Sequence, residues 1–140
     1  MKKALIIVQN NHSTTRKYGE EITEFLLNRG LSAELIPINS FETEKLLEAD
    51  YLLLSSWKND SLFPLNTPDN EWESFVKKLP TLNGIKTALF TTYKFFSGGI
   101  FRKMKKYLVV KTENLEIALK SRDGSLSIDD KLALNEFIKY

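Results

Sequence analysis

The chain has no cysteine and a single histidine among its 140 residues, with six glycines and four prolines. Without cysteine there is no disulfide, no thiolate nucleophile and no Cys-ligated zinc or iron–sulfur site. The lone histidine, His12, has no second imidazole to complete a metal site. The sequence also sets no obvious triad partners near it. No apolar run approaches the ~20 residues of a membrane span. The start, Met1-Lys-Lys-Ala-Leu-Ile-Ile-Val8, is basic and then apolar. Its apolar part is too short for a signal sequence, and no small-residue cleavage site follows. It reads as a first strand, so a cytoplasmic protein with no membrane partner is expected. Acid is missing from 94–111, which holds Lys94, Arg102, Lys103, Lys105, Lys106 and Lys111.

What is present is ordinary for a soluble globular chain: 42% hydrophobic and 27% charged residues. The length suits one domain, 1–140, with a real core. The formal net charge is +2 but uneven. Residues 1–70 hold 7 Lys/Arg against 10 Asp/Glu, and 71–140 hold 13 against 8. The basic run at 94–111 reads as a solvated helix face, because no nucleic-acid motif accompanies it.

Hydrophobic periodicity gives the order of elements. Residues 4–9 are a continuous, largely β-branched run, the pattern of a strand buried on both faces. From Thr14 the period changes. Tyr18, Ile22, Phe25, Leu26 and Arg29 share one helical face, and Gly30 stops it. A second strand at 33–38 carries Pro37 near its end, which marks a sheet edge. A short helix is predicted at 41–49 and a third strand at 51–56. Asp69 or Asn70 caps a helix with Trp72, Phe75, Val76 and Leu79 on one face. Pro80 and Asn83-Gly84 end it, and 86–92 is the fourth strand. Ser97-Gly98-Gly99 opens a helix with Ile100, Phe101, Met104 and Leu108. The fifth strand is 115–120, followed by an Asp123-Gly124 turn. Ser127 and Asp130 cap a last helix containing Ile128, Leu132, Phe137 and Ile138. Strict alternation of strands and helices predicts an α/β fold, a three-layer αβα sandwich around a five-stranded parallel sheet. Strand order 2-1-3-4-5 fits the edge proline, and a ligand is then expected at the carboxyl ends of the first, third and fourth strands.

Three loops meet there. In Gln9-Asn10-Asn11-His12-Ser13-Thr14-Thr15 all seven side chains can hydrogen-bond, and the loop runs into a helix N-terminus. Backbone N–H groups and the helix dipole favour an anion at that place. Capping alone needs one such residue, so Ser13, Thr14 and Thr15 point to a phosphate. No Gly-Lys-Ser/Thr is present, which excludes a Walker-type nucleotide site. His12 reads as a turn residue or phosphate contact. The third-strand loop carries Ser56, Trp57, Lys58, Asn59 and Asp60. The fourth-strand loop carries Thr91, Thr92, Tyr93, Phe95 and Phe96, then Ser97-Gly98-Gly99. Asp60 beside Asn59 reads as a solvated turn acid rather than a general base. Gln9-Asn10-Asn11 offers no paired acids, so a phosphoacceptor domain is excluded. Aromatics in two loops beside a phosphate-type loop describe a site for a flat, phosphorylated ligand.

With these loops the chain resembles the short-chain flavodoxin family over nearly its full length. Asn10-Asn11-His12-Ser13-Thr14-Thr15 stands where that family has a Ser/Thr-x-Thr-Gly-Asn-Thr phosphate loop. Thr15 matches the final Thr and Thr14 stands at the Asn. Ser55-Ser56-Trp57-Lys58-Asn59-Asp60 is similar to the family's Ser/Pro-Thr-Trp-Gly-Asp-Asp flavin loop. Ser13 replaces a Gly, Asn10 and His12 replace hydroxyl residues, and Lys58 replaces the Gly after the Trp. The net charge is positive where the family is usually acidic. The resemblance implies a flavodoxin-like fold and non-covalently bound flavin mononucleotide (FMN). Ser13, Thr14 and Thr15 would hold its phosphate. Trp57, with Tyr93 or Phe96, would flank the ring, and backbone groups of 57–60 and 92–96 would tune it. It also implies an electron carrier between redox partner proteins, with no catalytic residue or metal of its own, acting as a monomer or weak dimer without nucleic acid. Two alternatives stay open: an FMN-dependent NAD(P)H quinone or nitro reductase, and a flavin-free interaction module on the same fold.

Overall fold

The computed structural model describes residues 1–9, 13–55, 70–92, 99–112 and 115–139. Five parallel strands form one sheet in the order β2-β1-β3-β4-β5. They are β1 (Lys3–Val8), β2 (Ser32–Pro37), β3 (Tyr51–Ser55), β4 (Lys86–Thr92) and β5 (Leu115–Ser121). Four α-helices connect them: α1 (Ser13–Asn28), α2 (Asn70–Lys78), α3 (Gly99–Leu108) and α4 (Ile128–Phe137). The predicted class, layers and strand order all appear. β1, β3 and β4 are central and almost wholly buried, because a parallel strand covered on both faces must be apolar on both. β2 and β5 are the edges and are only partly covered. Pro37 ends β2 opposite Val8, at the edge its missing N–H requires.

Alternation along the strands divides the core in two. On one face Leu5, Ile7, Leu52, Leu54 and Leu89 pack under Trp72, Val76 and Leu79 at α2 and Met104 and Leu108 of α3. On the other, Ala4, Ile6, Val8, Leu53 and Phe90 pack under Tyr18, Ile22 and Leu26 of α1 and Leu134 and Phe137 of α4.

One expectation is corrected. The helix predicted at 41–49 is a 3-10 segment, Thr43–Glu48, preceded by a shorter one at Ile38–Ser40. Neither has a side-chain cap, and Leu46 alone is buried in the longer, so little holds a full α-helix there. In α4, Ile128 and Leu132 face solvent, 77% and 59% exposed. The inward stripe is Asp130, Leu134 and Phe137, because Asp130 serves both the helix cap and the Tyr18 hydroxyl. The capping box of Ser127 and Asp130 forms as expected. No helix among the described residues is long and apolar enough to cross a membrane.

Candidate functional site

The carboxyl ends of β1, β3 and β4 lie side by side, Val8 and Ser55 closing the first two strands and Thr92 the third. The first turn of α1 sits over this edge. Its leading N–H groups have no partner within the helix, and it contains no acidic residue, so the helix N-terminus favours an anion. Ser13 is exposed and Thr14 half-buried. Thr15 and Thr92 are both buried, and their hydroxyl oxygens are 2.5 Å apart. The bond joins the start of α1 to the end of β4.

Ser55 is 1% exposed, and its Oγ has no hydrogen-bond partner among the described residues. Strand alternation puts Ser55 on the same face as Leu53, the α1 face, where Thr15 and Thr92 also meet. Gln9, just past β1, likewise has a buried Oε1 without a partner among the described residues. A buried polar atom left unpaired costs ~1–3 kcal/mol. Two of them fall at the ends of adjacent central strands, where the fold places a ligand edge. The Ser55 carbonyl accepts from Trp72 Nε1 at 3.1 Å, which anchors α2 to the last residue of β3.

The turn after β5 braces α1 from the other side. Gly124 has a positive φ of 83°, and a Cβ there would stand 2.7 Å from the Thr14 carbonyl oxygen. Lys17 Nζ donates to Asp123 O at 3.5 Å and Ser125 Oγ at 3.4 Å. The Leu126 N–H donates to Glu21 Oε1 at 2.9 Å, and the Tyr18 hydroxyl donates to Asp130 at 2.8 Å. Within the turn, the Ser125 N–H donates to the Asp123 carboxylate at 2.9 Å and holds that group below its ordinary pKa. Sequence reading took Asp123-Gly124 as a plain turn. The bracing role was missed, although an Asp-Gly-Ser run with self-bonding side chains was its signal.

Of the residues singled out from sequence, the structure brings Ser13, Thr14, Thr15 and Thr92 to one edge. Asn10, Asn11, His12, Ser56, Trp57, Lys58, Asn59, Asp60, Tyr93 and Phe96 lie outside the described residues. Ser55 and Gln9 were not singled out as site residues, since one reads as the end of an apolar run and the other as a strand terminus.

No family model matches the chain, and no curated protein matches it. Solved structures do. A short-chain flavodoxin associated with a non-canonical PDU bacterial microcompartment superposes with a TM-score of 0.71 at 16% identity, covering 98% of this chain and 94% of the other. Two-electron reduced Megasphaera elsdenii flavodoxin gives 0.71 at 16% identity, with 96% of each chain covered. A flavodoxin from the domain Archaea gives 0.68 at 13%, covering 98% of this chain and 93% of the other. The chain therefore has the flavodoxin-like α/β fold. At such identities the likeness is one of fold, and function must be argued from the site.

Proposed function

We propose that residues 1–140 form one flavodoxin-like domain that binds FMN without a covalent bond and carries electrons between redox proteins. The observation that carries this reading is the carboxyl edge itself. An acid-free helix N-terminus, a buried Thr15–Thr92 hydroxyl pair and a Ser55 hydroxyl with no partner among the described residues converge there. The donor set fits a phosphate monoester. The buried Thr15–Thr92 hydroxyl pair joins the start of α1 to the end of β4 at this edge and adds polar character there. The N–H groups of α1 and the hydroxyls of Ser13 and Thr14 supply more donors. On this reading Trp57, with Tyr93 or Phe96, flanks the flavin ring, and Ser56, Lys58, Asn59, Asp60, Asn10, Asn11 and His12 complete the two loops. When bound, the flavin supplies the one- and two-electron redox chemistry. The protein binds and orients it, shields one edge from water and provides no acid–base residue.

Titration with FMN and riboflavin tests the reading. Charge-assisted hydrogen bonds are worth ~1.5–3 kcal/mol each, so FMN should bind at least about tenfold more tightly. Equal affinities would remove the phosphate site, and absence of any flavin spectral change would leave a flavin-free module. NAD(P)H oxidation by the flavin-loaded protein alone would replace the carrier with a reductase.

A further inference from the structure

The longest acid-free stretch of the chain runs from Ser74 to Thr112 and contains nine Lys/Arg. α2 and α3 both return along the same face of the sheet, so their last turns reach the end of the molecule opposite the candidate flavin edge. Lys77 and Lys78 close α2, and Lys105 and Lys106 lie in the last turn of α3. The turn after α3 folds onto the end of α2. Lys111 Nζ donates to the Lys77 carbonyl at 3.2 Å, and the Leu82 N–H donates to the Lys111 carbonyl at 2.7 Å. Between these lysines Val109 and Val110 stand 66% and 74% exposed. Of the described acids nearby, Glu73 takes the Tyr107 hydroxyl, and Glu116 pairs with Lys86 at 3.5 Å.

From this corner we infer that the protein docks peripherally on an anionic lipid surface. Lysine at a helix C-terminus complements the helix dipole, which accounts for one or two per helix. It does not account for two adjacent apolar side chains held out in water just before Lys111, in a turn that bonds back to the lysine-rich end of α2. Protein interfaces deplete lysine, and valine is under-represented among their energetic anchors. Nucleic-acid surfaces gain nothing from exposed valines. An anionic bilayer uses both: lysines meet the headgroup charge, and a small apolar tip enters the interface. The expectation of no membrane partner rests on the lack of a span, and peripheral contact needs none. Docked this way, the candidate flavin edge faces away from the lipid, so the inference is independent of whether flavin binds.

Co-sedimentation of the full chain with sucrose-loaded vesicles tests it. Two-to-one phosphatidylcholine/phosphatidylglycerol vesicles should bind the protein, pure phosphatidylcholine vesicles should not, and high salt should release it. Lys106→Glu should weaken binding at least about fivefold, while Lys131→Glu on exposed α4, an equal charge change, should not. Val109→Ser with Val110→Ser should weaken it about tenfold. Should Lys106→Glu fail to fold, Lys78→Glu reads the same surface. Several results would overturn the inference: no vesicle binding, equal binding to neutral vesicles, equal loss from Lys131→Glu, or no loss from the serine pair. Binding of duplex DNA or polyglutamate with vesicles ignored would also overturn it and assign the patch to another partner.

Discussion

Thr15 and Thr92 are 77 positions apart in the chain, yet their hydroxyls form a 2.5 Å hydrogen bond beneath the first turn of α1. The bond ties two of the three segments that meet at the carboxyl edge. It also limits which donors remain. A hydroxyl has one proton, so the pair can offer at most one outward.

Thr92→Val keeps the shape of the side chain but takes this buried partner away from the Thr15 hydroxyl. A loss of ~1–3 kcal/mol is expected by denaturant unfolding. Thr15→Val with Thr92→Val removes both polar partners and should recover much of that stability. The double variant should still bind FMN less tightly than the parent, because both hydroxyls at the proposed phosphate edge are gone. Full retention of FMN affinity would take this pair out of the phosphate site.

The two tryptophans should separate fold from site. Trp72 is fully buried, bonds the Ser55 carbonyl and packs edge-on to Tyr107. Trp72→Ala should cost ~3–5 kcal/mol of stability. Trp57→Ala should leave the unfolding midpoint nearly unchanged and weaken flavin binding. Reversed roles in the two titrations would misplace the site.

The strands were legible because a buried parallel strand must be apolar on both faces, and residues 4–8, 51–54 and 88–90 are nearly so. Pro37 marked the edge for a backbone reason, and the order followed. The segment at 41–49 misled because a short amphipathic pattern does not reveal whether caps and packing exist to sustain an α-helix. Which side of α4 faces the core was not legible, because the inward stripe of Asp130, Leu134 and Phe137 includes an acid. Thr15 and Thr92 were each picked as site residues from their loops. Their mutual bond was not legible, since it depends on how α1 crosses the sheet. The bracing by Gly124 was hidden for the same reason.

Acid should reveal the turn after β5. The Ser125 N–H, foremost, stabilises the ionised Asp123 carboxylate and lowers its pKa in the folded chain. A lowered folded value means the contribution is complete above the unfolded pKa and is lost as pH falls through the folded one. Asp123→Asn should therefore be less stable than the parent near neutral pH. The difference should shrink below about pH 4, where the unfolded carboxyl takes up its proton. Urea midpoints measured from about pH 6 to about pH 2 read this directly. A constant difference across that range would show that the carboxylate contributes nothing through its charge.

Gly124→Ala offers the sharpest test of whether the brace positions the phosphate site. The glycine has a φ of 83°, and its missing Cβ leaves room for the Thr14 carbonyl, which a methyl would approach to 2.7 Å. The left-handed backbone alone costs a non-glycine residue ~1–2 kcal/mol. The contact adds to this, because the opposing atom belongs to the backbone and cannot rotate away. Relief requires the turn to retreat from α1 or the first turn of α1 to shift. Either movement disturbs the N–H groups and hydroxyls proposed to hold phosphate, while Trp57 and the 92–96 loop follow other strands. Gly124→Ala should then lower stability and weaken FMN binding more than riboflavin binding, narrowing the ratio of the two affinities. A variant that loses stability but keeps the parent ratio would confine the turn to a structural role. A variant that loses affinity for both flavins equally would mean that the brace supports the ring loops rather than the phosphate loop.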